Sequence, residues 1–187
     1  MPAVAFKEWA VICRALAAGR QSLILRKGGI AEAGGDFRPE YDRFLLMPTF
    51  FHEQHRVGIK PDLIPLLDAA EADRPPAGML RFTHAAEVTA VRRVTDLDRA
   101  LALDALHSWT ADTVRQRFYY RTPGLFVLTV RVSALPHPVE APDRAEYAGC
   151  KTWVELADDV PTAGAVPVLT DSAFTEYARA VDETLGR

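Results

Sequence analysis

The chain has 187 residues and a mass of 20.7 kDa, 49% hydrophobic and 25% charged, a balance that excludes collagen, coiled coils and disordered tails. Its formal charge of −3 excludes a coat of basic side chains for non-specific nucleic-acid binding. The charge is uneven: residues 1–133 carry +3 and residues 134–187 carry −6, so an anion-binding surface is expected in the first part.

Residues 5–18 place Phe6, Trp9, Ala10, Ile12, Cys13 and Leu16 on one helical face, with Lys7, Glu8 and Arg14 opposite and Gly19 as a stop. That spacing predicts an amphipathic core helix with Cys13 as a buried, inert thiol. Residues 22–26 read as a short strand delivering Arg26 and Lys27 onto a Gly28-Gly29 turn. A second run, Phe44 to Met47, stops at Pro48, and the two are expected to be adjacent strands joined by a long hairpin loop. Within 61–72 the apolar spacing is helical, with the helix starting at Pro65, and Arg74 to Gly78 is a loop. From Leu80 to Ala90 the period is two, in a run long enough to require a bulge or bend. Thr95 or Asp96 can cap one helix and Thr110 a second, reaching Phe118. Leu125 to Val132 reads as a central strand. The prolines 136, 138 and 142 mark an irregular crossover to a short strand over 152–156, and a last helix, capped by Asp171, ends at Gly186.

These elements alternate without a βαβ rhythm. They predict an α+β fold with a mainly antiparallel sheet, partly closed into a barrel, and flanking helices. Length allows one domain over 1–187, with a motif-bearing part to about residue 156 and a helical appendage over 157–187. Two cysteines, Cys13 and Cys150, form no disulfide framework and fit a reducing cytoplasm. No apolar run reaches the length of a membrane span, and Lys7, Glu8 and Arg14 interrupt the start too often for a secretory leader.

The common catalytic motifs are absent, including phosphate-binding loops, a nucleophile elbow and a zinc helix. None of Lys7, Lys27, Lys60 and Lys151 has an acidic residue two positions before it, which removes the Asp/Glu-x-Lys nuclease pattern. Arg26-Lys27-Gly28-Gly29 can form a cationic nest around an anion, or simply a tight turn with solvated cations. His52 and His55 share a helical spacing, but no third ligand lies nearby, so a surface or hydrogen-bonding role for one of them is favoured over a metal site. His84 reads as a satisfied core histidine. Residues 107–121 mix His107, Trp109, Arg115, Arg117, Tyr119 and Arg121, the combination that base stacking and phosphate contact require; helix core and solvated arginines are the alternative. In Gly149 to Trp153 a packed Cys150 beside a functional Lys151 is favoured over a nucleophilic thiol.

Phe6-Lys7-Glu8-Trp9-Ala10, Leu25 to Ile30, Arg43 to Leu46 with Pro48-Thr49 and His52, Trp109 with Arg117-Phe118, and Gly149 to Leu156 together resemble the bacterial family called domain of unknown function 1802. Thr152 stands where serine is expected. The resemblance runs from the start to about Leu156 and implies no activity. By association alone it implies a restriction or defence setting, and it adds weight to Arg26, Lys27, His52, Trp109, Lys151 and Trp153.

The leading expectation is a non-enzymatic domain recognising a nucleic acid or nucleotide-like anion, without a cofactor or metal. Arg26, Lys27, Arg117 and Lys151 would neutralise phosphate, and Trp109, Tyr119 or Trp153 would stack on a base. One alternative is a small hydrolase or transferase with His52 or His107 as base and Arg26 plus Lys151 as clamps, all in one pocket. Another is a protein-interaction module whose acidic end docks a basic partner.

Overall fold

A computed structural model describes residues 4–27, 40–50, 56–149 and 151–186. The first element is a strand, β1 (Val4–Trp9), followed by α1 (Ala10–Ala17). The helix expected from residue 5 therefore begins five residues later. Phe6 and Trp9 fit a helical stripe, but Val4, Ala5 and Phe6 are all buried, as they are in a strand with both faces covered. Next come β2 (Leu23–Arg26) and β3 (Arg43–Thr49), a 3-10 turn over Pro61–Leu63, and α2 (Ile64–Ala72) with Pro65 in its first turn.

The frame consists of two long antiparallel strands, β4 (Met79–Val94) and β5 (Leu125–Pro142). Between them lie α3 (Leu97–Ala102) and α4 (Ala111–Tyr119). The Asp96 carboxylate accepts the Asp98 N–H at 2.9 Å, and the Thr110 hydroxyl accepts the Thr113 N–H at 3.2 Å, capping the two helices. The register of β4 against β5 shifts between Phe82 and His84 and between Val88 and Ala90, which supplies the bend that the length of the run requires. Phe82 faces Val139 and His84 faces Ala134, so Pro136 and Pro138 lie in the bulge, where missing N–H donors cost no ladder bond. The expected crossover is thus a continuation of the same strand. β6 (Trp153–Glu155), β7 (Val166–Pro167) and α5 (Asp171–Thr184) complete the chain. The cap of α5 is Thr170, one residue before the expected Asp171.

The sheet order is β2-β5-β4-β3-β1-β6, with β7 also on β5. All pairings are antiparallel except β1 with β3. β2 and β3 are not neighbours, because the long strands β5 and β4 lie between them. The sheet is also not closed, and the expected barrel closure is not borne out: β2 approaches β1 through the side chain of Arg26, whose Nη2 donates to the Lys7 carbonyl, and no ladder joins these two strands.

Both faces of β1 are covered. Phe6 belongs to the larger core with Ile12, Leu16, Ile24, Trp109 and Val181, whereas Ala5 belongs to a second core with Leu45, Met47, Phe82 and Tyr147. Side chains alternate along a strand, so Glu8 follows Phe6 into the first region and Lys7 follows Ala5 into the second. No helix among the described residues is long and apolar enough to cross a membrane.

Candidate functional site

The first group of chemistry-bearing side chains lies where the ends of β1, β2 and α4 meet. Glu8 is only 2% exposed, and its Oε1 accepts the Trp9 N–H at 2.8 Å. Its Oε2 lies 3.9 Å from Nε of Arg26. The Arg26 guanidinium stacks over the Phe6 ring at 4.3 Å. Arg117 is half-buried, with its guanidinium 4.8 Å from the Trp9 ring and 4.9 Å from the Trp109 ring, and Nη1 donates to the Leu25 carbonyl at 3.1 Å. Burial lowers its pKa to about 10 against the pull of Glu8, which leaves it charged at neutral pH. One carboxylate thus faces two guanidinium groups, and two indoles and a phenyl ring supply the cation–π surface.

His107 and Trp109 adjoin this group, with ring centroids 5.6 Å apart. Both are buried, and among the described residues neither ring nitrogen of His107 nor Nε1 of Trp109 has a hydrogen-bond partner. Burial first, then the charge of Lys60, lowers the His107 pKa to about 4, so the ring is neutral over the physiological range. Cys13, as expected, is a buried thiol whose pKa burial raises, with Glu8 adding to the effect.

Lys27 leaves the end of β2 and is held in place. Its Nζ donates to the carbonyls of Phe118 at 2.7 Å, Gly124 at 2.8 Å and Thr122. These oxygens come from the last turn of α4 and the loop after it, where orphan carbonyls and the helix dipole favour a cation. Burial, then Arg93, lowers the Lys27 pKa. The loop so clamped exposes Tyr119 (60%) and Tyr120 (58%). Arg121 follows at φ 61°, the one positive φ among described non-glycine residues, with its guanidinium 5.2 Å from the Tyr120 ring. Gly124 closes the loop at φ 126°, and a Cβ there would meet the Val94 carbonyl at 3.2 Å. A left-handed non-glycine residue stores about 1–2 kcal/mol and persists only where its surroundings hold it. Here the surroundings are the Lys27 ammonium.

Of the residues read from the sequence, Arg26, Lys27, His107, Trp109 and Arg117 come together at this end. Trp109 is fully buried, and Trp153 is nearly so, packed edge-on against Phe6 at 4.8 Å and Phe44 at 5.2 Å, so neither offers a free ring face. Lys151 is exposed and donates to the Glu146 carbonyl at 3.3 Å. Gly28, Gly29, His52, His55 and Cys150 lie outside the described residues. His84 is half-buried, with Nδ1 2.8 Å from the Thr83 hydroxyl. The sequence reading missed three contributors: Glu8, assigned to a solvated helix face; Arg93; and Tyr120 beside Arg121. For Tyr120 the signal was the Tyr-Tyr-Arg run directly after a predicted helix end.

The model of the family described as Domain of unknown function (DUF1802) matches residues 5–180, and the chain belongs to that family. No curated protein matches it. Among solved structures, it is similar to a crystal structure of ASCH from Zymomonas mobilis, with a TM-score of 0.49 and 11% identity over 95% of this chain and 93% of that one. It is also similar to a serine-to-alanine mutant of that protein, with a TM-score of 0.46 and 11% identity over 96% and 99% of the two chains.

Proposed function

We propose that this DUF1802 protein is a non-enzymatic recognition domain for nucleic acid, and that it takes an unpaired stretch of strand at the end of the sheet formed by β2, the end of β4 and the loop after α4. The observation that carries this reading is the clamped loop: two tyrosines more than half exposed beside Arg121. Unpaired bases stack on exposed aromatic rings, and arginine meets the phosphates between them. Arg93, exposed at the end of β4, adds a second phosphate contact. It faces Phe126 in the sheet, as Arg26 does from the other side. Arg26 and Arg117 contribute positive potential from within, partly offset by Glu8. The family resemblance would place such recognition in a restriction or defence setting, by association alone.

The test is fluorescence anisotropy with short labelled single- and double-stranded oligonucleotides over a salt series. Binding that favours the single strand and weakens steeply with salt is expected. Absence of salt-sensitive binding at low ionic strength would overturn the reading.

A further inference from the structure

On the opposite face of β1, Lys7 enters a cavity of about 420 Å³ bounded by the end of β3, the 74–82 segment and residues 143–149. The volume lies in the range of sites for small organic ligands, about 300–1,000 Å³. Its charged lining is mainly cationic. Among the described lining residues, Lys7, Arg74, Arg81 and Arg144 stand against one carboxylate, Asp143, while Asp73, Glu140 and Asp158 pair with Arg81 and Arg144 from outside it. Its apolar surface comes from the part-exposed Pro48 and Met79, backed by Met47 and Phe82 of the second core.

Two of the cations are already oriented. The Lys7 ammonium donates to the carbonyls of Tyr147 and of Gly149, the latter at 3.1 Å. Arg81 donates to the Glu140 carboxylate through Nε at 3.1 Å and Nη2 at 3.0 Å, and to Asp73 at 3.0 Å. Side chains fixed beforehand lose little further entropy when a ligand arrives. Arg74 lies over the Phe50 ring at 4.8 Å, and Arg144 is exposed, 3.5 Å from Asp158. Gly78 and Gly149 sit in the wall at φ 80° and 88°, and a Cβ at either would meet nothing within 4 Å. Both backbone conformations favour glycine, so the wall carries no side chain at these two points and the space beside them stays open.

We propose that this cavity binds an organic phosphate of about the size of a nucleoside monophosphate, with its phosphate against Lys7, Arg74 and Arg144 and its ring on the part-exposed Pro48 and Met79. Guanidinium and ammonium groups together are the usual partners of phosphate oxygens. The site is separate from the loop after α4 and does not depend on the reading of that loop.

The experiment is isothermal titration of the whole chain with adenosine monophosphate, adenosine and inorganic phosphate. It is repeated on Arg74→Gln, Arg144→Gln and, as a control in the other region, Arg121→Gln. Saturable binding of the monophosphate is expected, with adenosine weaker by about tenfold or more. Arg74→Gln and Arg144→Gln should each weaken the monophosphate about five- to tenfold while leaving oligonucleotide binding and the melting temperature unchanged, and Arg121→Gln should leave it unaffected. No saturation by about 5 mM, equal binding of adenosine, or a loss that follows Arg121 instead of Arg74 would overturn the proposal. Failure of oligonucleotide binding alone would overturn only the reading of the loop.

Discussion

The Nζ of Lys27 and the carbonyl oxygen of Gly124 lie 2.8 Å apart, and that contact joins the end of an edge strand to the closing residue of the loop carrying Tyr119, Tyr120 and Arg121. A cation expected to meet a ligand directly instead shapes the backbone that presents the exposed rings. Its place in the family motif fits a positioning role.

Replacing Lys27 with Met removes the donor shared by three carbonyls and is expected to cost about 2 kcal/mol. Hydrogen exchange of the amides over 118–124 should accelerate by about tenfold or more, with a fall of about 5 °C in melting temperature. Unchanged exchange in this segment would show that the loop holds itself.

Arg121→Gly should move stability and binding in opposite directions. Glycine releases the cost of φ 61°, about 1–2 kcal/mol, and loses about half of that gain through the greater freedom of the unfolded chain. The variant should melt slightly higher yet bind single-stranded oligonucleotide more weakly. Tyr119→Ala and Tyr120→Ala should each cost about 1–3 kcal/mol of binding, as stacking predicts, with little change in melting. Oligonucleotide titration and thermal denaturation on the same preparations check all three.

Among the described residues, Glu8 is the one carboxylate shown beside Arg26 and acting on Arg117. Glu8→Gln leaves two guanidinium groups uncompensated near the core and is expected to destabilise by about 3 kcal/mol. Adding Arg26→Met should restore part of that loss, because it removes a charge that has lost its partner. Urea denaturation of the single and double variants measures the coupling; strictly additive losses would show that the pair does not interact.

His107 imposes a pH dependence. Its pKa is about 4 folded and about 6.5 unfolded. Between these values the unfolded chain holds a proton that the folded chain does not, so stability rises with pH. The contribution is fully present above about pH 6.5 and is lost as pH falls toward 4, by about 3 kcal/mol in total. His107→Phe keeps the shape and removes the group. Denaturation at several pH values should show a shallower acid slope for the variant, and identical slopes would mean that His107 titrates normally.

Period and punctuation made β2, β4, the first half of β5, the three capped helices and the bulge in β4 legible in the sequence. β1 was not, since Phe6, Trp9, Ala10 and Cys13 match a helical stripe as well as they match a buried strand running into a helix. Neighbour relations were hidden too: Leu23 pairs with Thr129 and Ala5 with Leu45, contacts that no local pattern encodes. At the site, the cations could be read but their duties could not. Whether Lys27 meets a ligand or a carbonyl, and whether Trp109 lies outside or within the core, depends on where α4 packs.

Adjacent residues of β1 serve the two regions: Glu8 stands beside Arg26, and Lys7 stands in the cavity across the sheet. A slip of one position along this strand would exchange them, putting a carboxylate among the arginines that would receive a phosphate and an ammonium beside the guanidinium of Arg26. β1 is held on one side by β3 in parallel and on the other by β6. Those two neighbours therefore fix the placement of both charges at once, and a single-residue insertion in β1 would move each of them to the opposite face.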